Sequence, residues 1–189
     1  MRWNVRAGGA CVALAGMLLG GGGCSVHSES TAVSETPPSV PPVVHDGAAL
    51  ERVKSLAGEW ESAKEPGTPA SVYAVSSGGS VVREIMFPGT DHEMTNVYHM
   101  DGPDLVMTHY CAMGNQPRMR ARGGARPSDG GAIHFRTDGV TNLLPQHKGY
   151  MGEMRLVFLG PDRLRQEWRS VQNGRVTGEP TVFELRRIN

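Results

Sequence analysis

Short runs of alternating apolar and polar residues recur from Trp60 to the C-terminus, separated by turn-forming residues. Such period-two runs at intervals of roughly 8–12 residues are typical of β-strands in sandwiches and barrels. The turn signals are Ser77–Gly79, Pro88–Asp91, Asp101–Asp104, Gly160–Asp162 and Asn173–Gly174. No helix-length period lies between the runs, which argues against a doubly wound α/β fold.

The alternation predicts ten strands in an all-β, antiparallel meander. These are Trp60–Ala63, Ser71–Ser76, Ser80–Phe87, Glu93–Met100, Leu105–Cys111, Arg118–Ala121, Ala132–Phe135, Gly152–Leu159, Arg163–Ser170 and Pro180–Arg187. An open sheet of this size would leave unpaired edges, and closure removes them. We therefore expect a closed barrel.

A short helix should precede the first strand. Asp46 is a suitable N-cap, and Leu50, Val53 and Leu56 follow at helical spacing until Gly58. The pattern predicts a helix over residues 47–57 within a barrel domain that spans residues 46–189.

Residues 1–23 have the pattern of an export signal. Arg2 and Arg6 form a positive segment, and the apolar run over residues 10–19 is too short to span a bilayer. Small residues then lead to Cys24, as in bacterial lipoprotein signals, although Gly21 occupies the position where leucine is usual. We expect acylation of Cys24; the alternative is an ordinary secretory signal, either cleaved or retained.

The predicted lipid anchor would be joined to the barrel by a tether. Residues 24–45 are rich in serine and proline and lack an apolar period, which is typical of disordered linkers. Ser25 resembles the default signal for outer-membrane sorting. The expected location is therefore the cell envelope, on the periplasmic face of the outer membrane if the host is Gram-negative.

Charge and cysteine content limit the possible partners. The chain has 19 basic and 19 acidic residues, and loss of Arg2 and Arg6 with the signal would leave it slightly negative. No basic field is therefore available to attract nucleic acid. With Cys11 in the signal and Cys24 acylated, Cys111 is left alone, which excludes a disulfide framework. The sequence assigns no oligomeric state.

The strand that ends at Cys111 and the polar loop after it form the candidate site. If Asp101–Asp104 is a four-residue hairpin, Asn96 lies opposite His109 and Tyr98 lies opposite Met107, on one face of the sheet. The predicted ligand-binding residues are Asn96, Tyr98, Met107, His109, Cys111, Asn115, Gln116 and Arg118.

Each part of this site has a purely structural interpretation as well. The shared face predicts either a self-satisfied polar core with methionine fillers or a pocket. Arg118 either stands at the barrel mouth, where it could bind a carboxylate or phosphate, or belongs to a loop whose amides tie neighbouring turns. Cys111 is expected as a small buried residue inside the barrel rather than a reactive thiol.

Metal binding and catalysis receive less support from the sequence. His99 and His109 fall on opposite faces, which disfavours a shared metal with His92. His109 and Cys111 would lie about 7 Å apart, too far for a nucleophile–base pair. Glu84 and Glu167 are most simply solvated strand charges. The sequence assigns no catalytic residue, no metal site and no cofactor.

The chain resembles the calycin or lipocalin-like group. Gly58-Glu59-Trp60 after a short helix matches the Gly-x-Trp motif that starts the first strand in that group. The run from Thr108 to Met119 is similar to that of exported bacterial lipoproteins of uncharacterised function. Haem-binding nitrobindins also begin with a Gly-x-Trp strand, but no histidine here could be matched to their iron ligand.

Three functional hypotheses follow from the sequence. The first is an envelope lipoprotein whose barrel binds a small apolar ligand with one polar group. The second is an enzyme that uses the same cavity, with His109 as general base. The third is a structural envelope lipoprotein with a packed core and no ligand.

Overall fold

The computed structural model describes residues 47–123, 131–144 and 149–188. The predicted signal, Cys24, the tether and Asp46 lie outside the described residues. Within the described ranges, no helix has the length and apolar character needed to cross a membrane.

The described residues form one α-helix and ten β-strands. Helix α1 spans Ala48–Lys54. The strands are β1 (Gly58–Ser62), β2 (Pro69–Ser76), β3 (Val81–Met86), β4 (Met94–Asp101), β5 (Asp104–Tyr110), β6 (Gln116–Ala121), β7 (Ala132–Thr141), β8 (Gly149–Gly160), β9 (Arg163–Gln172) and β10 (Arg175–Arg187).

The strands form an antiparallel meander that closes into a barrel. Each strand pairs with its neighbours in the chain, and β1 pairs with β10, with Trp60 opposite Arg187. The predicted all-β closed barrel with a short N-terminal helix is confirmed, and it is compatible with a calycin-like fold. Closure gives every strand two partners, so that no edge is exposed to pairing with another chain.

Helix α1 covers one end of the barrel, which we call the helix end. Arg52 donates to the carbonyl of Gly131 and lies 4.2 Å over the ring of Phe158. Gly131 directly precedes β7, and Phe158 lies near the end of β8, so both are at that end of the barrel. The buried side chains Leu50 and Val53 pack into the barrel core. The five connections β1–β2, β3–β4, β5–β6, β7–β8 and β9–β10 therefore lie at the opposite end.

The helix is shorter than the sequence predicted. Its N-cap position is Gly47, with φ of 44° and no side-chain cap. The helix ends at Lys54, and the following turns lead into Gly58, whose φ of 125° is suited to glycine. The carbonyls of Ser55 and Ala57 then bond to a side chain from β10 instead of continuing the helix.

Trp60 and Arg187 join the helix to the barrel closure. The indole of Trp60 is fully buried, and its Nε1 donates to the carbonyl of Leu56 at 2.8 Å. The Arg187 guanidinium lies 4.4 Å from the Trp60 ring centroid and donates to the carbonyls of Ser55 and Ala57, each at 2.8 Å. One cation thus satisfies the last carbonyls of the helical segment while it covers the tryptophan.

β7 and β10 extend furthest beyond their predicted bounds. β7 continues to Thr141 because Asp138, a poor strand former, is held on the outer face by Arg118 and Arg120. β10 begins at Arg175, and an irregularity between Thr177 and Thr181 accommodates the residues of low strand propensity there.

We expect Arg187→Ala to lower the free energy of unfolding by ~1–3 kcal/mol, since it removes a cation–π contact with the buried Trp60 and the hydrogen bonds to two carbonyls. Urea unfolding measures this loss. The control is Arg136→Ala on the outer face of β7, where the side chain is 71% exposed and 3.7 Å from Glu153; it should cost at most ~1 kcal/mol. Equal losses in the two variants would contradict the role of Arg187.

Candidate functional site

The register of β4 and β5 places the central residues of the predicted site together. Asn96 lies opposite His109 and Tyr98 opposite Met107, as the hairpin at Asp101–Asp104 predicted. All four side chains are within 1% of complete burial. The shared face of these strands therefore points into the barrel.

Glu84 lies at the centre of the interior, which corrects the prediction that it is a solvated strand charge. It is fully buried on the same face of β3 as Val82 and Met86. Glu167, in contrast, lies on the outer face of β9 and pairs with Arg155 at 2.7 Å. The alternation Val82-x-Glu84-x-Met86 is the signal that could have identified Glu84 as an interior residue.

Four described side chains donate hydrogen bonds to the Glu84 carboxylate. Oε1 accepts from Ser71 Oγ at 2.9 Å and from Gln166 Nε2 at 2.6 Å. Oε2 accepts from Asn96 Nδ2 and from the Tyr98 hydroxyl, both at 2.7 Å. An ionised carboxylate accepts about four hydrogen bonds and donates none, and this arrangement matches that capacity.

The hydrogen bonds continue from these donors to other side chains. Gln166 Nε2 also donates to the Tyr73 hydroxyl at 2.7 Å, and Gln166 Oε1 accepts from Trp168 Nε1 at 3.0 Å. Asn96 Oδ1 is 2.7 Å from His109 Nδ1, and the His109 ring lies 4.9 Å from that of Trp168. We call the whole set the interior network: Ser71, Tyr73, Glu84, Asn96, Tyr98, His109, Gln166 and Trp168.

The interior network holds its negative charge without a counter-ion. Among the described residues, no lysine or arginine is buried. Burial, followed by the charge of Glu84, raises the pKa values of Tyr73 and Tyr98 well above their ordinary value. Both phenols therefore stay protonated, and Tyr98 remains a hydrogen-bond donor to the carboxylate.

His109 is a neutral imidazole with one unused nitrogen. Because Asn96 Nδ2 donates to Glu84, its Oδ1 faces His109, and Nδ1 of the ring must carry the proton. Nε2 is then an acceptor, and it is buried without a partner among the described residues. Burial lowers the pKa of His109 from 6.5 to about 4.

A cavity of about 390 Å³ opens at the barrel end opposite the helix, and we call it the mouth cavity. Ser71 and Gln166 of the interior network form its polar floor, and Met86 lies beside them. The remaining lining residues are Ser62, Lys64, Glu65, Thr68, Pro69, Ala70, Phe87, Thr90, Val182, Phe183, Glu184 and Leu185.

Two phenylalanines shape the wall of the mouth cavity. Phe87 and Phe183 pack edge to face, with ring centroids 5.4 Å apart. Phe87 has a φ of 52°, which is uncommon for a residue with a bulky side chain, and its N–H donates to the carbonyl of Ala70 at 2.9 Å. The backbone is thus held in an unfavourable conformation at the place where the ring faces the cavity.

None of the eight residues predicted to bind a ligand is among those that line the mouth cavity. Asn96, Tyr98, Met107 and His109 lie in the packed interior behind its floor. The cavity residues Ala70, Phe87 and Phe183 were missed, because they come from three separate parts of the chain: the start of β2, the residue after β3 and the second half of β10.

The structure also changes the positions expected for Cys111 and Arg118. Cys111 follows the end of β5 and is only partly buried, so it is not inside the barrel. Arg118 lies on the outer face of β6 and forms two hydrogen bonds with Asp138, at 2.8 and 3.1 Å, instead of standing at the mouth. Pro117 and Met119 take the inward positions of that strand.

The amides of the polar loop tie neighbouring strands together. Asn115 is buried, and its Nδ2 donates to the carbonyl of Gly149 at 3.0 Å. Gln116 accepts from the Thr141 hydroxyl at 2.9 Å. These contacts are those of a structural loop that joins the starts of β6 and β8 to the end of β7.

Comparison of the sequence with models of protein families and with curated proteins finds no match in either case. Functional inference therefore depends on the chemistry of the interior network and the mouth cavity.

The depressed pKa of His109 predicts acid sensitivity. Between pH 6.5 and about 4, an unfolded chain binds a proton at this imidazole and the folded chain does not, so stability falls as the pH is lowered through that window. The shift corresponds to a loss of up to ~3 kcal/mol.

Urea unfolding at a series of pH values checks this expectation. His109→Gln should remove that share of the acid sensitivity, because glutamine does not titrate. His92→Gln, at an exposed position in the β3–β4 connection, should retain it. An imidazole resonance of His109 that titrates near pH 6.5 would refute the assignment.

Proposed function

We propose that the barrel binds a small, largely apolar ligand with one polar group, and that the mouth cavity is its binding site. The observation that carries this proposal is a cavity of about 390 Å³ with an apolar wall and two buried polar side chains at its floor. Small-molecule sites commonly have volumes of ~300–1,000 Å³ and this mixture of lining groups.

The wall suits an apolar ligand body. Phe87, Phe183, Leu185 and Met86 present aromatic, branched and flexible surfaces to the cavity. Methionine adapts to irregular guests, and the edge-to-face phenylalanine pair offers a rigid contact area. Burial of apolar ligand surface against this wall is the main source of binding free energy, at ~25 cal/mol per Å².

The floor suits a single polar head group. Ser71 and Gln166 are at most 1% exposed, yet both border the cavity. Both side chains are hydrogen-bonded within the interior network, but Ser71 Oγ and Gln166 Oε1 keep lone pairs that can accept a further hydrogen bond. One polar group at the buried end of the ligand can bond to them, while a wholly apolar ligand gains no such bond.

Binding is better supported than catalysis by His109. An imidazole with a pKa of about 4 is a weak base at neutral pH, where an efficient general base has a pKa near the working pH. The ring also lies in the interior network and does not border the mouth cavity. If no binding is measured, the third hypothesis, a structural protein with a packed core and no ligand, is favoured.

A side chain that fills the mouth cavity should abolish binding. We expect Ala70→Phe to weaken binding of the neutral fluorescent probe N-phenylnaphthylamine by at least about tenfold, which corresponds to ~1.4 kcal/mol. The matched control is Ala74→Phe on the same strand, outside the cavity lining, which should bind as the wild type does.

Native mass spectrometry of the purified protein completes this test by detecting retained small molecules. No probe binding to the wild type, together with no retained molecule, would reject the proposal. Equal binding by the wild type and Ala70→Phe would reject the mouth cavity as its location.

We further propose that the protein is an exported lipoprotein anchored in the cell envelope through Cys24. Support comes from the positive segment with Arg2 and Arg6, the short apolar run over residues 10–19 and the small residues before the cysteine. The similarity of the run from Thr108 to Met119 to exported bacterial lipoproteins points the same way. In a Gram-negative host, Ser25 favours the periplasmic face of the outer membrane.

Metabolic labelling with an alkyne fatty acid tests the anchor. The wild type, expressed in a Gram-negative host, should incorporate the label and fractionate with membranes, whereas Cys24→Ser should do neither. Cys111→Ser is the matched control and should behave as the wild type. Label retained by Cys24→Ser, or absent from the wild type, would exclude acylation at this position.

A further inference from the structure

The donors of the two floor residues are already in use. Ser71 Oγ donates its proton to Glu84, and Gln166 Nε2 donates its two protons to Glu84 and Tyr73. These side chains can still accept hydrogen bonds from a ligand. Ser71 Oγ has free lone pairs, and Gln166 Oε1 has one lone pair left because the other accepts from Trp168.

The buried side-chain atoms that lack a partner have the same character. Two buried side-chain atoms lack a hydrogen-bond partner among the described residues, namely His109 Nε2 and Asn115 Oδ1. Both are acceptors, since the hydrogen bond to Asn96 places the proton of His109 on Nδ1. Both unpartnered atoms are therefore acceptors, one in the interior network and one in the polar loop that precedes β6.

Charge adds to this bias. The Glu84 carboxylate lies directly behind Ser71 and Gln166, so that a ligand atom bonded to either would be roughly 5–6 Å from it, the length of two successive hydrogen bonds. No buried lysine or arginine among the described residues offsets its charge. In the low-dielectric interior this distance favours a cation and disfavours an anion.

The charges at the rim do not reverse this preference. Lys64 and Glu65 are both exposed and of opposite sign. Glu184 is engaged by Arg165 at 2.6 Å. Exposed charges are screened by solvent and salt far more than a buried carboxylate is.

We propose that the mouth cavity selects ligands whose buried head group is a hydrogen-bond donor, with ammonium heads preferred over hydroxyl heads, and that it excludes carboxylates. This inference rests on the proposed binding function and names the chemical class of its ligand: an amine with an apolar body. A carboxylate head would place acceptor against acceptor and negative charge beside negative charge.

Three ligands with the same apolar chain test this preference. Octylamine, octanol and octanoate are each titrated against N-phenylnaphthylamine bound to the wild type at pH 7, where the first is a cation and the last an anion. We expect octylamine to bind at least about tenfold more tightly than octanoate, with octanol between them. Octanoate binding as tightly as octylamine, or more tightly, would overturn the inference.

The design separates this failure from failure of the binding function. If none of the three ligands displaces the probe from the wild type, binding in the mouth cavity itself is rejected. The same conclusion follows if the Ala70→Phe variant binds the probe and releases it to the ligands as the wild type does. If displacement requires the open cavity but octanoate is not disfavoured, the binding function stands and only the head-group preference falls.

Two variants locate the preference at the floor. Ser71→Ala removes an acceptor and should weaken octylamine and octanol by about two- to tenfold while octanoate is unchanged. Lys64→Ala, at the rim, should preserve the order of the three ligands. Equal weakening of all three by Ser71→Ala, or loss of the order in Lys64→Ala, would show that the floor does not select the head group.

Glu84→Gln tests the charge itself. In a variant that retains the wild-type circular dichroism spectrum, the ratio of octylamine to octanoate affinity should fall by at least about fivefold, since the shape is kept and the charge is removed. An unchanged ratio would refute the contribution of the carboxylate. If the variant does not fold, the ranking in the wild type and the Ser71→Ala variant still decide the inference.

Discussion

Burial of the Glu84 carboxylate without a counter-ion sets what the rest of the barrel interior must supply. An ionised carboxylate in an apolar environment is tolerated only when hydrogen bonds replace its hydration. Here Ser71, Asn96, Tyr98 and Gln166 provide them. They come from β2, β4 and β9, so one charged group fixes the positions of side chains from distant parts of the chain. Loss of any one donor would leave part of the charge unsatisfied. The need for all four donors therefore fixes these strands relative to one another more specifically than apolar packing does.

Features that depend on neighbouring strands could be predicted from the sequence. Alternation and the turn at Asp101–Asp104 were enough to place Asn96 opposite His109, because a hairpin of known length fixes the register. Closure of the meander followed from the number of strands and the absence of helical periods. The first half of β10 was missed, since Gly178 and Pro180 have low strand propensity and only its pairing with β9 makes it a strand.

Contacts across the barrel could not be predicted in this way. Gln166 reaches Glu84 over 82 positions of sequence, and which side chains face each other across a lumen depends on strand tilt and stagger that alternation does not encode. Glu84 was therefore interpreted as a surface charge, although Val82 and Met86 share its face. Arg118 shows the opposite error: a polar loop suggested a mouth, while the alternation of Pro117 and Met119 already assigned Arg118 to the outside.

Stability and ligand preference have the same physical origin in this barrel. The carboxylate accepts a hydrogen bond from each of its four polar partners, including the two that border the mouth cavity, and the second N–H of Gln166 is taken by Tyr73. Because Ser71 and Gln166 donate to the buried Glu84, they present acceptors to the cavity. The negative charge of Glu84 lies behind them. Replacing that charge with a buried cation would free the same side chains to donate and would favour the opposite head group. The head-group selectivity of the cavity is therefore a consequence of how the core holds its charge, and no residue at the rim is required to produce it.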